Sequence, residues 1–354
     1  MSKRVLVAMS GGVDSSVAAL LLKEQGYDPI GVTMCLGIPS PEGGEEAKCC
    51  GAEAINDAKN VCRVIGMPHY VLDFSKEMRD CVMDDFVSEY IQGRTPNPCV
   101  RCNQFLKFDK LYKYARTMDC EYLSTGHYVR MGERNGLPVL TRPTDRKKDQ
   151  TYFLYCIPKP VLPHLLFPIY GMEKPDVRAK AAAAGLPVAQ KAESQDICFV
   201  TGRSYIDFLK MRGVEDKPGD VVDTSGKVVG QHQGIWHCTL GQRGGIGVAL
   251  GRPIYVVSVD AEKNRIVVGD EPDLLSRGLT TGKINLQVES LPTNLTCKVR
   301  YRSTDVACTV SMRDDGTASV LFAEPQRAVT PGQSIVFYDG DDMLGGAVIE
   351  GILK

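Results

Sequence analysis

A loop rich in glycine and serine lies between the first apolar run of the chain and its first helical pattern. Ser10–Ser16 reads Ser-Gly-Gly-Val-Asp-Ser-Ser, after Val5–Met9 and before Val17–Leu22. Paired glycines can adopt positive φ and bring the backbone close to an anion. The following helix offers unpaired N–H groups and the positive end of its dipole. The pattern therefore predicts a phosphate-binding loop at the end of a buried strand.

The loop lacks the residues that define two other kinds of phosphate-binding loop. It has no Gly-Lys-Ser/Thr ending, which argues against transfer of a terminal phosphate, and it lacks the glycine spacing of a dinucleotide site. The loop resembles the pyrophosphatase loop of adenylating enzymes, which hold the β and γ phosphates of ATP while a substrate oxygen attacks the α phosphorus. An ordinary glycine-rich turn is the alternative; the flanking strand and helix favour the phosphate site.

Two segments offer reactive thiols. Asn97–Asn103 places Cys99 and Cys102 in a predicted turn before a helix that begins near Asn103. The helix dipole and Arg101 would favour a thiolate there. Cys198, in Glu193–Phe199, is the second candidate. The Cys-x-x-Cys spacing alone is weak, because thirteen cysteines give many chance pairs and cysteine is a common core residue.

The other cysteines and the histidines do not form a metal motif. One Cys-x-x-Cys pair stands out and the five histidines do not pair at ligand spacing, so a structural zinc is not favoured. We assign no function to the loop Gly37–Gly51, which contains Cys49 and Cys50. We predict core positions for Cys35, Cys62, Cys81, Cys120, Cys156, Cys238, Cys297 and Cys308.

Length and composition limit the class of protein that can carry these motifs. A chain of 354 residues is long enough for two or three domains. Its net charge of −1 excludes a strong global field, so a nucleic-acid surface must be a local patch. Free cysteines without a leader sequence suit a reducing compartment, and no apolar stretch approaches the roughly 20 residues of a membrane span. These features predict a soluble cytoplasmic protein.

Alternating strand-like and helix-like runs over the first two hundred residues predict an α/β fold with a doubly wound parallel sheet. Ligands of such sheets lie beyond the carboxyl ends of the strands, so Gly11-Gly12 and Thr125-Gly126-His127 are expected to face one nucleotide. From about Asp216 short β-like runs predict a small β-rich domain and then an antiparallel barrel. We predict boundaries at 1–205, 206–280 and 281–354. The strand candidates are Arg4–Met9, Ile30–Cys35, His69–Asp73, Tyr122–Thr125, Lys298–Ser303, Ala307–Met312, Ser319–Phe322 and Ser334–Tyr338, and the helix candidates are Val13–Glu24, Ala52–Ile65, Ser75–Ile91 and Asn103–Met118.

Six motifs in order resemble the bacterial tRNA-specific 2-thiouridylase family, from the first strand to the final barrel. They are Ser10–Ser16, Asn97–Asn103 with Phe105-Leu-Lys-Phe, Ser124–Arg130, Lys148–Phe153, Glu193–Phe199 and Thr239–Arg243. The resemblance implies an adenine nucleotide alpha hydrolase-like fold and ATP-dependent 2-thiolation of the wobble uridine, position 34, in tRNAs for Lys, Glu and Gln. ATP with Mg²⁺ adenylates the C2 oxygen, and a persulfide sulfur then displaces AMP. A cysteine desulfurase or a sulfur-carrier protein would supply the sulfur.

The resemblance also implies roles for single residues. Cys198 would carry the persulfide, and Cys102 would be the nucleophile that resolves it, closing the cycle as a transient disulfide between the two. ATP would contact Ala8, Met9, Ser10, Gly11, Gly12, Val13, Asp14, Ser15, Met34 and Gly126. The tRNA would contact Asn97, Pro98, Cys99, His127, Lys148, Asp149, Gln150, Arg300, Tyr301 and Gln333.

Cys99 departs from the family pattern, since many members carry Asp at this position. A proposed general acid or base role of that Asp does not transfer to a thiol. Cys99, Cys102 and Cys198 together could instead ligate a [4Fe-4S] cluster with one iron open to sulfide. Cysteine counting does not decide between the persulfide relay and the cluster.

Local basic patches are the predicted tRNA surface, because phosphate contacts position RNA without reading its sequence. Lys298, Arg300 and Arg302 alternate along a predicted strand, which would turn all three to one side. A solvated charged face is the alternative for either patch. The first patch comprises Arg130, Arg134, Arg142, Arg146, Lys147 and Lys148.

Two other functions fit parts of the chain. A small-molecule adenylating enzyme, such as an argininosuccinate or GMP synthetase, would share the loop but needs neither paired thiols nor a terminal barrel. A non-catalytic tRNA-binding protein would keep the loop as a relic. Intact Ser10, Asp14, Cys102 and Cys198 argue against that relic.

Overall fold

The computed structural model describes residues 2–38, 51–193, 197–200, 203–248 and 251–354. Cys49, Cys50 and most of their loop lie outside these ranges. The chain divides into two compact units. The first contains Met1–Val82, Cys99–Thr201 and Asp341–Leu344, and the second contains Met83–Pro98, Gly202–Gly340 and Gly345–Lys354.

The first unit is built on a five-stranded parallel sheet, in the order β3-β2-β1-β4-β7. A separate hairpin, β5–β6, pairs with Asp342 and Met343. The strands are β1 Arg4–Ala8, β2 Asp28–Cys35, β3 His69–Asp73, β4 Tyr122–Ser124, β5 Arg130–Arg134, β6 Leu137–Thr141 and β7 Leu165–Leu166. The predicted α/β class is confirmed.

Burial explains why the central strand reads as an unbroken apolar run. Val5, Leu6 and Val7 of β1 are all 0% exposed, as expected for a parallel strand covered on both faces. The helix Val13–Glu24 (α1) packs Val17 and Leu22 into the same core. This packing holds the end of β1 and the start of α1 in a fixed position relative to the sheet.

The helices Val13–Glu24 and Ala52–Ile65 have the bounds predicted from the sequence. Two π-helical segments were not predicted. The helices are α1 Val13–Glu24, α2 Ala52–Ile65, α3 Ser75–Met78, α4 Asp84–Ile91, α5 Pro98–Arg101, α6 Tyr112–Thr117, α7 Lys174–Ala183 and α8 Tyr205–Met211, and the π-helical segments are Arg79–Met83 and Cys102–Leu111. The predicted start near Asn103 is wrong, because the helical run begins at Pro98, whose fixed φ suits the first position of a helix. Cys99 and Cys102 therefore lie within the helical run.

The second unit is mainly β. Strands β8 to β11 form a four-stranded sheet in the order β10-β11-β8-β9. Strands β12, β16, β15, β14, β17 and β18 follow one another around an antiparallel barrel, which the β12–β18 pairing closes. The strands are β8 Gly219–Asp223, β9 Val228–His232, β10 Tyr255–Asp260, β11 Arg265–Gly269, β12 Leu275–Thr281, β13 Asn285–Leu286, β14 Leu295–Lys298, β15 Val306–Met312, β16 Ala318–Arg327, β17 Ser334–Asp339 and β18 Asp342–Leu353. The predicted C-terminal barrel is confirmed, and the three predicted domain boundaries stay a prediction.

Two details of the sequence analysis are wrong. The predicted strand Lys298–Ser303 ends at Lys298, and the chain turns at Arg300–Ser303, where the Ser303 N–H donates to the Arg300 carbonyl at 3.2 Å. Lys298, Arg300 and Arg302 therefore do not share one face of a strand. Cys35 and Cys81 are half-buried rather than core residues, whereas the other six predicted core cysteines are buried.

None of the helices in the described part of the chain is both long enough and apolar enough to span a membrane.

Candidate functional site at the carboxyl ends of the parallel strands

The strand order reverses between β1 and β4, which creates a crevice beyond their carboxyl ends. These strands are neighbours, with Val7 opposite Ser124, and such a switch point is where open α/β sheets bind ligands. A cavity of about 230 Å³ lies here. Its lining residues are Ala8, Met9, Ser10, Asp14, Ser15, Val32, Met34, Lys107, Thr125, Gly126, His127 and Gln150. Seven of the ten residues predicted to bind ATP are among them.

At one position in the loop after β1, only glycine fits both the backbone conformation and the surrounding atoms. Gly11 has φ +71°, and a Cβ there would lie 2.3 Å from the Ala54 carbonyl oxygen. Gly12 precedes α1 in an extended conformation, and its N–H donates to Ser10 Oγ at 3.3 Å. The Ser10 N–H in turn donates to Ser15 Oγ at 3.2 Å. These bonds hold the loop at the positive end of the α1 dipole.

Gly126, after β4, packs directly against the first turn of α1. A Cβ on Gly126 would lie 2.5 Å from the Ser15 backbone nitrogen and 2.7 Å from the Asp14 carbonyl carbon. The two predicted loops therefore meet, as expected for segments that face one ligand.

Asp14 belongs to a chain of ion pairs. Lys174 Nζ lies 2.8 Å from both carboxylate oxygens of Asp14 and 2.7 Å from Glu193 Oε1. Tyr128 also donates to Asp14, at 2.9 Å, and Lys148 donates to Glu193 at 2.6 Å. Hydrogen bonds from Lys148 and Lys174 lower the pKa of Glu193 to about 2. This network, Asp14–Lys174–Glu193–Lys148, connects the phosphate loop to the segment that leads to Cys198.

Removing the central cation should destabilise the protein. Lys174 is only 11% exposed at its side chain, and K174M would leave two carboxylates without their shared partner. We expect the free energy of unfolding to fall by about 1–3 kcal/mol. Lys180, on the same helix, pairs with Glu24 at the surface, so K180M should cost about 0.5 kcal/mol or less. Urea unfolding of both variants measures the difference, and equal losses would contradict it.

His127 lies at the cavity wall in a largely apolar setting. Its Nδ1 is 2.6 Å from Thr125 Oγ1, and its ring centroid is 6.0 Å from that of Phe108 and 6.5 Å from that of Phe167. Burial, with a smaller contribution from the charge of Lys107, lowers the pKa of His127 well below its usual value. The imidazole is therefore neutral at pH 7 and acts there as a hydrogen-bonding group.

This lowered pKa predicts a pH effect on stability. Below about pH 6.5 the unfolded chain binds a proton at His127 that the folded protein does not bind, so the free energy of unfolding should fall as pH decreases, by at most about 1.4 kcal/mol per pH unit. H127Q should show a smaller loss between pH 7.5 and 5.5. Parallel stability curves for the wild type and H127Q would contradict the prediction.

The structure places three thiols near one another from two distant segments of the first unit. Cys99 and Cys102 lie in the helical run that begins at Pro98, and the charges of both act on Cys198. Cys99 and Cys198 are both exposed to solvent, although neighbouring protein atoms partly desolvate their thiols. Burial raises the pKa of Cys99, and burial with the neighbouring thiols raises that of Cys198 to about 12. Burial therefore disfavours the thiolate that we expected at Cys99 from the sequence.

The three thiols do not form a metal site in this arrangement. Across the five described ranges, no group of three or more His, Cys, Asp or Glu side chains is placed to hold a metal ion. This arrangement does not support the [4Fe-4S] alternative, which stays a prediction.

Several residues predicted to contact tRNA have structural partners. Asp149 is buried and accepts hydrogen bonds from the Thr151 N–H and hydroxyl at 2.9 and 2.7 Å. Gln150 lines the cavity and accepts from the Tyr128 N–H at 2.8 Å. Lys148 is bound to Glu193. Of the first basic patch, Arg134 pairs with Asp342, Arg142 with Asp149 and Arg146 with Asp341. These carboxylates offset much of the local charge.

In the second unit, two of the predicted tRNA contacts bind backbone carbonyls. Arg300 donates to the carbonyl oxygens of Arg327 and Ala328. Gln333 donates to those of Thr95 and Pro96 at 3.0 and 3.1 Å, just before Asn97 and Pro98. Tyr301 accepts from Lys298 through its carbonyl at 3.4 Å. Each contact shapes a loop, whether or not RNA binds there.

Comparison with known proteins identifies the family. The model described as the tRNA methyl transferase HUP domain matches residues 3–202, that of the tRNA methyl transferase PRC-barrel domain matches 206–270, and that of the aminomethyltransferase beta-barrel domain matches 276–349. The tRNA-specific 2-thiouridylase MnmA 1 of Syntrophus aciditrophicus is 49% identical over 350 residues, which cover 99% of this chain and 93% of that protein. This chain belongs to the tRNA-specific 2-thiouridylase family.

Further members of the 2-thiouridylase family match at similar levels. The MnmA protein of Geobacter metallireducens is 47% identical over 98% of this chain and 97% of its own length. That of Acetivibrio thermocellus is 45% identical over 98% of this chain and 99% of its own length. The resemblance found in the sequence motifs is confirmed. For this 2-thiouridylase family member, Lys107 and Lys174 are site residues that sequence reasoning missed; Lys107 lies within the quoted Phe105-Leu-Lys-Phe motif.

Proposed function

We propose that this protein is a tRNA-uridine 2-sulfurtransferase that uses MgATP to replace the C2 oxygen of U34 with sulfur. One observation carries the proposal. The first unit combines a cavity bordered by a glycine loop with the thiol of Cys198, on which Cys99 and Cys102 act electrostatically. Adenylation needs the loop, and sulfur transfer needs two thiols that can exchange within one site. A small-molecule synthetase would need only the loop.

Adenylation comes first in this proposal. The C2 oxygen of uridine attacks the α phosphorus of ATP, the bond from that phosphorus to pyrophosphate breaks, and the uridine loses its N3 proton. Gly11, Gly12 and the N-terminus of α1 would hold the phosphates, with Met34 and Gly126 beside the adenosine. Asp14 is already bound by Lys174 and Tyr128, so we assign it to positioning the loop. Mg²⁺ would arrive as part of MgATP.

Sulfur transfer follows on the thiols. The terminal sulfur of a Cys198 persulfide attacks C2, and AMP leaves with the original oxygen. Cys102 then attacks Cys198 Sγ, which breaks the sulfur–sulfur bond, releases 2-thiouridine and leaves a Cys102–Cys198 disulfide. An external thiol must return two electrons to that disulfide before the next cycle. A cysteine desulfurase or a sulfur-carrier protein would renew the persulfide.

Recognition of tRNA completes the proposal. The target base must leave its stack to reach the thiols, and Asn97, Pro98 and Cys99 are proposed to contact it. His127, Lys148 to Gln150, Arg300, Tyr301 and Gln333 remain proposed tRNA contacts, and tRNAs for Lys, Glu and Gln the proposed substrates. The reducing cytoplasm is the proposed compartment.

The test measures pyrophosphate release before any sulfur source is added. ATP, Mg²⁺ and an unmodified tRNA with U34 are compared with the same tRNA carrying C34. Release that requires U34 supports adenylation of that base. Release without tRNA would favour a small-molecule adenylating enzyme, and no release under any condition would favour a non-catalytic tRNA-binding protein.

A further inference from the structure

Lys107 brings a positive charge to the nucleotide cavity. Among the described residues that line this cavity, Lys107 is the one cation and Asp14 the one anion. Asp14 is already paired with Lys174. His127, on the same wall, is neutral at pH 7 because burial lowers its pKa. Lys107 is therefore the lining side chain able to offset the charge of a bound polyphosphate.

The position of Lys107 is set by a buried amide. Lys107 Nζ donates to Asn103 Oδ1 at 2.9 Å, and Asn103 Nδ2 donates to the Phe153 carbonyl at 2.9 Å. Asn103 is only 2% exposed, so its orientation is fixed by the core. Lys107 and Asn103 belong to the π-helical segment Cys102–Leu111, a geometry that is frequent at functional sites.

The same charge reaches the thiols. Lys107 acts on both Cys99 and Cys198 in the direction that lowers their pKa, against the larger effect of burial. Lys107 thus connects the cavity and the thiols electrostatically, from a single position on the helical run.

We propose that Lys107 is a catalytic residue of both half-reactions, with its ammonium group contacting the α phosphate of the nucleotide and stabilising the departing AMP. The inference rests on the proposed function and adds a residue to it. In the first step negative charge builds up on the pyrophosphate and the α phosphate oxygens. In the second step it builds up on AMP as the C2–O bond breaks. A fixed cation inside the cavity lowers both barriers without a proton transfer.

Three variants test this role. K107M keeps the length of the side chain and loses the charge, and K107R keeps the charge. K113M is the matched control, since Lys113 lies six residues further along the same helical run, is 71% exposed and pairs with Asp109. The first readout is kcat and KM for ATP in U34-dependent pyrophosphate release by the full chain. The second is the pH dependence of Cys198 alkylation by iodoacetamide, followed by mass spectrometry without ATP or tRNA.

We expect K107M to lower kcat by about 10²–10³-fold with a smaller change in KM, K107R to stay within about tenfold of the wild type, and K113M to match it. Alkylation of Cys198 should shift to higher pH in K107M alone, because the thiolate fraction falls. Matching thermal unfolding midpoints would show that the variants are folded.

The outcomes separate the inference from the proposed function. A wild type without U34-dependent release overturns both. An active wild type with K107M within threefold of its kcat, or with unshifted Cys198 alkylation, overturns the role of Lys107 alone. If K107M does not fold, K107R decides: retained activity supports the electrostatic role, and a folded but inactive K107R contradicts it.

Discussion

Cys198→Ser should abolish tRNA thiolation while leaving tRNA affinity and U34-dependent pyrophosphate release intact. A serine hydroxyl cannot carry a sulfane sulfur, so we expect sulfur transfer to fall by about 10⁴-fold or more, as for the loss of a covalent nucleophile. Cys198 is accessible to solvent, so the substitution removes no core packing. Thiolated nucleosides are quantified after tRNA digestion, in parallel with tRNA binding and pyrophosphate release.

Two further variants test the roles of the thiols, one at Cys102 and one at a control cysteine. C102S should let Cys198 accept sulfur and attack C2 but leave the new sulfur–sulfur bond uncleaved, so a covalent adduct between Cys198 and the tRNA should accumulate and be visible by mass spectrometry. C81S is the control: Cys81 is half-buried in the same unit, and the substitution should leave thiolation at the wild-type level. Thiolation by C198S above background would refute the assignment of Cys198 as the sulfur carrier.

Gly126→Ala should disable the nucleotide site through a steric clash. The added Cβ would lie 2.5 Å from the Ser15 nitrogen and 2.7 Å from the Asp14 carbonyl carbon, both backbone atoms at the start of α1. The loop after β4 and the first turn of α1 must therefore separate. Such a displacement should lower kcat/KM for ATP by about 10²-fold and cost about 1–3 kcal/mol of stability.

Gly171 provides the matched control for this substitution. A Cβ on Gly171 meets no atom within 4 Å, and like Gly126 it does not adopt positive φ. G171A should therefore stay within about 0.5 kcal/mol of the wild type and keep its ATP kinetics. Pyrophosphate release at varied ATP and urea unfolding test both variants. Normal ATP kinetics in G126A would show that the two loops move apart without harming the site.

Two features of the structure are not visible in the local sequence patterns. Arg146 and Arg134 form a basic patch in sequence, yet Asp341 and Asp342 from the end of the chain pair with them. The strand predicted at Lys298–Ser303 ends where the chain turns. The alternation of polar and apolar residues at that position depends only on neighbouring residues. It therefore does not reveal which distant carbonyls Arg300 will bind.

The elements with local signals are predictable from the amino-acid sequence alone. The loop at Ser10–Ser16, the helices Val13–Glu24 and Ala52–Ile65 and the strand His69–Asp73 follow from spacing, glycine and apolar period. Six ordered motifs were enough to indicate the family. Neighbouring residues carry these signals, so no knowledge of distant contacts is needed.

Which side chains share a site depends on how the folded chain brings distant segments together. Cys198 interacts electrostatically with Cys99 and Cys102 across nearly a hundred residues of sequence. Lys174 joins Asp14 to Glu193, and Asn103 directs Lys107 toward the cavity. Such contacts arise when the core packs and brings separate elements together. Because burial and neighbouring charges set the pKa of a thiol or an imidazole, the reactivity of these groups is a property of the folded protein.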